Sequence, residues 1–135
     1  VDKDGRVFAT YALGVCVRAY APDGKQLLSF GAHDAGHENF SLPSGMVTDA
    51  KGRLWVVDML RGVVAVFRLD PSDAGLLEQS FVTFAIGGFG QRAGDLAYPS
   101  GIAGDGATRI YVVESTGARV QAFEIFSGPD SGKAN

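Results

Sequence analysis

Residues 42–67, LPSGMVTDAKGRLWVVDMLRGVVAVF, read as three short strands joined by two tight turns. Pro43-Ser44-Gly45 opens the stretch, and Met46-Val47-Thr48 is its first apolar run. Asp49-Ala50-Lys51-Gly52 has turn chemistry: Asp accepts from backbone amides two residues on, and Gly supplies a positive φ. Arg53-Leu54-Trp55-Val56-Val57 is rich in β-branched and aromatic residues. Val63-Val64-Ala65-Val66-Phe67 follows after a second turn that contains Gly62.

What decides the fold is that this stretch recurs. Moved 56 positions along the chain, residues 30–67 lie without a gap on residues 86–123. Gly31, Pro43, Ser44, Gly45, Asp49, Arg53, Val56, Val57, Val64 and Phe67 fall on Gly87, Pro99, Ser100, Gly101, Asp105, Arg109, Val112, Val113, Val120 and Phe123. Met46/Ile102, Leu54/Ile110, Trp55/Tyr111 and Asp58/Glu114 are conservative pairs. A shift of 47 in the other direction places Asp49, Gly52, Arg53, Val64 and Phe67 on Asp2, Gly5, Arg6, Val17 and Tyr20. The two shifts differ by one insertion, around residues 70–77.

Composition suits a folded all-β chain. The 135 residues are 46% hydrophobic and 20% charged, with 19 Gly and 5 Pro, as many short strands and tight turns require. No apolar run approaches the ~18 residues of a membrane-spanning helix, and no signal-like stretch is present. The chain starts at Val1 inside a repeat, which reads as a processed chain, a subunit or an excerpt of something longer. A net charge of −3 disfavours binding dominated by nucleic-acid phosphates. The single Cys16 cannot form an intrachain disulfide and is read as a packing residue.

Taken in order, Val1-Asp2 reads as the tail of a strand, Lys3-Asp4-Gly5 as a turn, and residues 6–11, 15–20 and 26–30 as strands. Residues 31–42 form a long connection. Strands follow at 46–48, 53–57, 63–69 and 78–85, with a long turn at 70–75. The connection recurs at 87–98, and the last strands are 102–104, 109–113 and 119–125. No segment has a helical period. Four antiparallel strands per repeat are the pattern of a β-propeller blade. With strands labelled a to d, the expectation is one all-β propeller segment over residues 1–135. Blade 1 (about 1–30) holds b, c and d, blade 2 (about 43–85) is complete, and blade 3 (about 99–126) holds a, b and c. Residues 127–135 form a polar tail. Closed propellers hold ~4–8 blades. The circle is therefore expected to be completed by missing chain, a second copy or another protein.

Residues 31–67, GAHDAGHENFSLPSGMVTDAKGRLWVVDMLRGVVAVF, and 87–123, GGFGQRAGDLAYPSGIAGDGATRIYVVESTGARVQAF, resemble NHL repeats. The second copy is the nearer, through Gly94-Asp95-Leu96, Tyr98-Pro99-Ser100-Gly101-Ile102-Ala103, Ile110-Tyr111-Val112 and Arg119-Val120-Gln121-Ala122-Phe123. The departures are Glu114 for an Asp, Thr108 for the turn Gly, and Leu60-Arg61-Gly62 in place of the family's loop. The resemblance implies a propeller that is six-bladed when complete, so about half a ring here. It also implies a platform that binds proteins in most members and RNA or small ligands in some.

Up-and-down connectivity puts the b–c and d–a connections on one rim. That rim collects the binding candidates His33, His37, Leu60, Arg61, Phe89 and Arg92, on loops of the kind that carry recognition from a rigid scaffold. His33 and His37 are four apart, but in a Gly-containing loop without a third ligand, so they are read as solvated histidines and no metal is assigned. Asp58 and Glu114 end matched strands and are read as acids that bond loop amides. Trp55, Tyr111 and Phe8 match one another and are read as interblade packing. No phosphate loop, Cys/His pair or Ser elbow is visible, so no catalytic residue and no cofactor is assigned. Amidating lyases also resemble this repeat family, but they carry His beside the Pro where this chain has Ser44 and Ser100. The reading is a non-catalytic protein-binding or assembly scaffold in an extracytoplasmic complex. The alternatives are part of a propeller enzyme (a metal-dependent lyase or lactonase-like hydrolase) and an RNA-binding domain. The compartment follows only from the family's habits and the missing Met.

Overall fold

The computed structural model describes residues 1–33, 36 and 39–125. His37, its neighbours Asp34 and Glu38, and the polar tail 127–135 lie outside them. Ten strands follow one another, and no helix occurs among the described residues. β1 (Val7–Tyr11), β2 (Cys16–Tyr20) and β3 (Gln26–Phe30) form one sheet in chain order. β4 (Pro43–Thr48), β5 (Leu54–Asp58), β6 (Val63–Pro71) and β7 (Leu77–Gly87) form the second. β8 (Pro99–Gly104), β9 (Arg109–Glu114) and β10 (Arg119–Glu124) form the third. Every neighbouring pair within a sheet is antiparallel. The chain is all-β, and its sheets are successive propeller blades, the middle one complete.

Packing explains why the middle blade is so apolar. All five residues of β5 are buried. A strand alternates its side chains between two faces, so both faces of this one are covered. Leu54, Val56, Ala65 and Phe67 join Val15, Val17, Phe30 and Phe40 in a core on the side of the first blade. Trp55, Val57, Val64 and Val66 join Leu96, Ile110 and Val112 in a core on the side of the third. Cys16 is buried at the start of β2. Among the aromatic residues, Phe30 and Phe67 meet edge to face with centroids 4.8 Å apart.

The turn leading from strand a to strand b repeats as an Asp-centred cap. The Asp49 carboxylate accepts from the Lys51 and Arg53 amides, from Arg53 Nε at 2.6 Å and from Trp55 Nε1 at 2.9 Å. Asp2 accepts from the Asp4 and Arg6 amides and from Arg6 Nε. Asp105 accepts from the amides of Ala107, Thr108 and Arg109, while the Arg109 guanidinium reaches Glu124 instead. The expectation that Val1-Asp2 ends a strand is corrected here: neither residue is in a strand, and Asp2 heads the turn, its carboxylate holding the Asp4 and Arg6 amides as Asp49 holds those of Lys51 and Arg53.

The insertion at 70–77 also differs from its sequence reading. Only residues 72–76 form the turn, closed by the Ser72 N–H donating to the Leu76 carbonyl and Gly75 N–H to the Ser72 carbonyl. The other inserted residues lengthen the hairpin, with Asp70 opposite Glu78 and Pro71 opposite Leu77. Pro71 is tolerated because β5 pairs with β6 no further than Phe67, so this end of β6 is an edge paired on one side only.

One backbone position recurs in a left-handed conformation just before strand c. It is Val15 (φ 48°), Gly62 (φ 63°) and Ala118 (φ 45°) in the three blades. Only the middle blade has glycine there, and a Cβ on Gly62 would lie 2.6 Å from the Leu96 carbonyl oxygen. Left-handed backbone costs an L-residue roughly 1–2 kcal/mol. Ala118→Gly is therefore expected to stabilise the fold by about 1 kcal/mol, and Gly62→Ala to destabilise it by about 2 kcal/mol or more. Denaturant unfolding of the two variants checks this, and equal effects of one sign would refute it.

Candidate functional site

The rim that carries the b–c and d–a connections is built twice by one device. Phe40 N–H donates to the Ala32 carbonyl and Leu96 N–H to the Gly88 carbonyl. These bonds fold each long loop back, pairing His33 with Phe40 and Phe89 with Leu96. Phe40 and Leu96 are thereby plugged into the two interblade cores. Gly31 and Gly87 start the loops with φ near 100°, and a Cβ on either would come within 2.7 Å of the plug it faces. The plug and the glycine are coupled choices, which is why both recur.

Two buried acids hold the loop ends. Asp58 is 1% exposed and accepts from the amides of Ser41, Leu42 and Arg61. Glu114 is 2% exposed; its Oε1 accepts from the Ala97 amide and Arg119 Nη2, and its Oε2 from Arg119 Nε at 2.5 Å and Gln121 Nε2. The Arg119 guanidinium holds the Glu114 carboxyl at about 2, well below its ordinary 4.5. The Ala97 amide and Gln121 add to this lowering, against the opposing effect of burial. Both acids do what their place at matched strand ends implied: they fasten loops, and their oxygens are occupied.

Arginines complete the fastening from different positions in the two blades. Arg61 Nη1 donates to the carbonyls of Asn39 and Gly36. Arg119, from the start of β10, donates to the carbonyls of Gln91, Arg92 and Asp95. Gln121 adds a bond to the Asp95 carbonyl at 2.7 Å and accepts from the Gly94 amide. Loop carbonyls that would otherwise need water are satisfied by cations and amides.

His33, Leu60, Arg61, Phe89 and Arg92 lie on the loops of one rim, where the structure gives them different work, while the remaining candidate, His37, lies outside the described residues. Arg61 is engaged with its own loop. His33 is exposed. Leu60 is exposed, and Phe89 is 59% exposed. The Arg92 side chain projects almost wholly into solvent, touching Asp95 at 3.2 Å. Sequence reasoning missed Tyr98, which meets Phe89 edge to face at 5.1 Å and adopts a positive φ of 49°. The signal available was an aromatic residue between the loop and Pro99. Among the described residues, no three His, Cys, Asp or Glu side chains converge in a way that would hold a metal. An open groove of about 360 Å³ lies between β1 and β4, lined by Val1, Phe8, Met46, Val47, Thr48 and Leu54, none with a titratable side chain. No helix among the described residues is long and apolar enough to cross a membrane.

No family model and no curated protein matches the chain. Solved structures do. A structural-genomics protein of unknown function from Bacteroides thetaiotaomicron superposes with a TM-score of 0.62 at 19% identity, over 90% of this chain and 32% of that one. A catalytically inactive virginiamycin B lyase from Staphylococcus aureus with quinupristin gives 0.48 at 17% identity, over 98% and 41%. A streptogramin B lyase gives 0.46 at 10% identity, over 92% and 38%. The first likeness is one of fold. The chain spans about a third of the length of that protein.

The Glu114–Arg119 pair makes a pH-dependent contribution. Because folding lowers the carboxyl's value, its stabilisation is complete above 4.5 and is lost as pH falls toward about 2. Glu114→Gln is expected to cost roughly 2–3 kcal/mol at neutral pH, less than a fully enclosed pair because Arg119 keeps 31% of its side chain exposed. Across that acid window the variant's stability should change less than the parent's. Parallel pH–stability curves for the two proteins would refute this role.

Proposed function

We propose that this chain is a non-catalytic protein-binding scaffold, part of a larger propeller assembly, with the rim described above as its contact face. One observation carries the reading. The two rim acids best placed for chemistry are consumed in fastening loops, while Leu60, Phe89, Tyr98 and Arg92 are left facing solvent on those fastened loops. Aromatic and Arg side chains on a rigid frame are the composition of interface hot spots. The propeller fold itself is neutral, since one fold hosts many functions. The family resemblance supports the same reading, and with it an extracytoplasmic setting.

A photo-cross-linking residue at position 89, compared with one at position 76 on the opposite face, tests it in the source cell. The expected result is one defined protein adduct from position 89 that Arg92→Ala and Leu60→Ala each reduce severalfold. Equal adducts from both positions, or none from position 89, would overturn it.

A further inference from the structure

The two junctions between blades are fastened alike but end in different surfaces. The loop over the first junction holds His33 and Leu42 where the loop over the second, 56 positions later, holds Phe89 and Tyr98. Phe89 is 59% and Tyr98 37% exposed, and their rings meet at 90° with centroids 5.1 Å apart. Both blades that flank this junction are present. A Cβ on Gly62 of the middle blade would lie 3.0 Å from Phe89 Cα, and Ser115 of the third blade donates its amide to the Tyr98 carbonyl.

Tyr98 also has a backbone conformation that the repeat does not ask for. Val15 and Ala118 are left-handed where Gly62 is, so their conformation belongs to the blade. Tyr98 has a φ of 49°, and its counterpart Leu42 does not share it. A bulky residue in that region is an outlier. Strain that the fold itself does not require collects where a side chain is held ready for a ligand.

What the loop still has to offer defines the ligand. Its acceptors are spent: the carbonyls of Gly88, Gln91, Arg92, Asp95, Ala97 and Tyr98 each receive a hydrogen bond from within the chain. The Asp95 carboxylate receives the Arg92 amide and Nε. What remains is two rings and the Arg92 guanidinium, whose side chain is 92% exposed. Among the described residues its one bond uses Nε, so the Nη donors are left over. The matching ligand is apolar, rich in acceptors and short of N–H donors. Sugar hydroxyls need acceptors as well as donors, and an added β-strand needs free carbonyls along a backbone edge.

We propose that Phe89, Tyr98 and Arg92 bind a proline-containing segment of a partner protein in the polyproline II conformation. Such a segment has no internal hydrogen bonds, so its carbonyls remain acceptors, and each proline lacks an N–H. Its rings pack on aromatic side chains. The Phe89–Tyr98 pair takes a proline, and the Arg92 Nη donors take a carbonyl of the same segment. The proposal rests on the scaffold reading of this rim and adds to it the class of partner.

Titration with end-capped decaproline, followed by nuclear magnetic resonance, tests it. A capped glycine–serine peptide and a capped oligoglutamate of the same length are the controls. Decaproline is expected to shift the resonances of residues 87–98 and of Leu60, and the controls are not. Phe89→Ala should weaken decaproline binding about tenfold, the size expected of a hot-spot ring, and Arg92→Ala severalfold. Tyr98→Gly separates binding from packing, because it removes the ring and the strain together. Its urea midpoint should hold or rise while decaproline binding is lost. A lower midpoint would show that Tyr98 serves the fold and would overturn its role in holding a ligand. Equal shifts with the glycine–serine peptide, tighter binding of oligoglutamate, or no shift at about 5 mM decaproline would overturn the proposal. If decaproline fails while position-89 cross-linking still captures a protein, only the ligand class falls. If both fail, the scaffold reading falls with it.

Discussion

Burial of the middle blade from both sides is the constraint on which the rest of the structure depends. Every residue of β5 is enclosed, so neither of its faces can be left to water. Each sheet alone would expose one apolar wall or two, and stability arises from stacking neighbours, as in other repeat architectures. Stacked twisted sheets leave a gap at the rim, and Phe40 and Leu96 fill it. A loop that delivers a plug must turn its own polar backbone inward. That creates the demand for Asp58, Glu114, Arg61 and Arg119. The polar network of the rim is thus a consequence of the apolar core.

The fold was legible because its signals are repeated. A turn Asp followed by Arg four residues later, Pro-Ser-Gly at the start of strand a, and β-branched runs each recur with a physical reason. The role of Asp58 and Glu114 was legible for the same reason. Less legible was what depends on exceptions to residue preference. Nothing in Val15 or Ala118 announces a left-handed backbone, because neither residue favours one; only alignment with Gly62 reveals it. The Asp-Pro-Ser-Asp-Ala-Gly run at 70–75 is turn-like in composition, yet pairing between β6 and β7 carries Asp70 and Pro71 into the ladder.

The candidate site was legible as a place and less so as a division of labour. Topology alone assigns the loops to one rim. It does not say that Arg61 faces inward to carbonyls while Arg92 faces outward, since both are Arg residues in loops. Nor does it show that a Val-to-Arg change between residues 63 and 119 moves the fastening cation from the turn into the strand. Those assignments depend on which carbonyls each loop leaves unsatisfied, a three-dimensional quantity.

Under the proposed binding role, the fastened loops have a consequence for recognition kinetics. Surfaces that are ordered before encounter lose little conformational entropy on docking, and their association is limited by diffusion and orientation and not by folding. In the binding role proposed above, such a rim would discriminate by shape, because a partner that does not match could not be accommodated by loop adjustment. Affinity is then also sensitive to residues no partner touches. A change at Arg119 or Gln121 would loosen the template from beneath, and its signature would be a slower encounter with a surface whose exposed residues are all still in place.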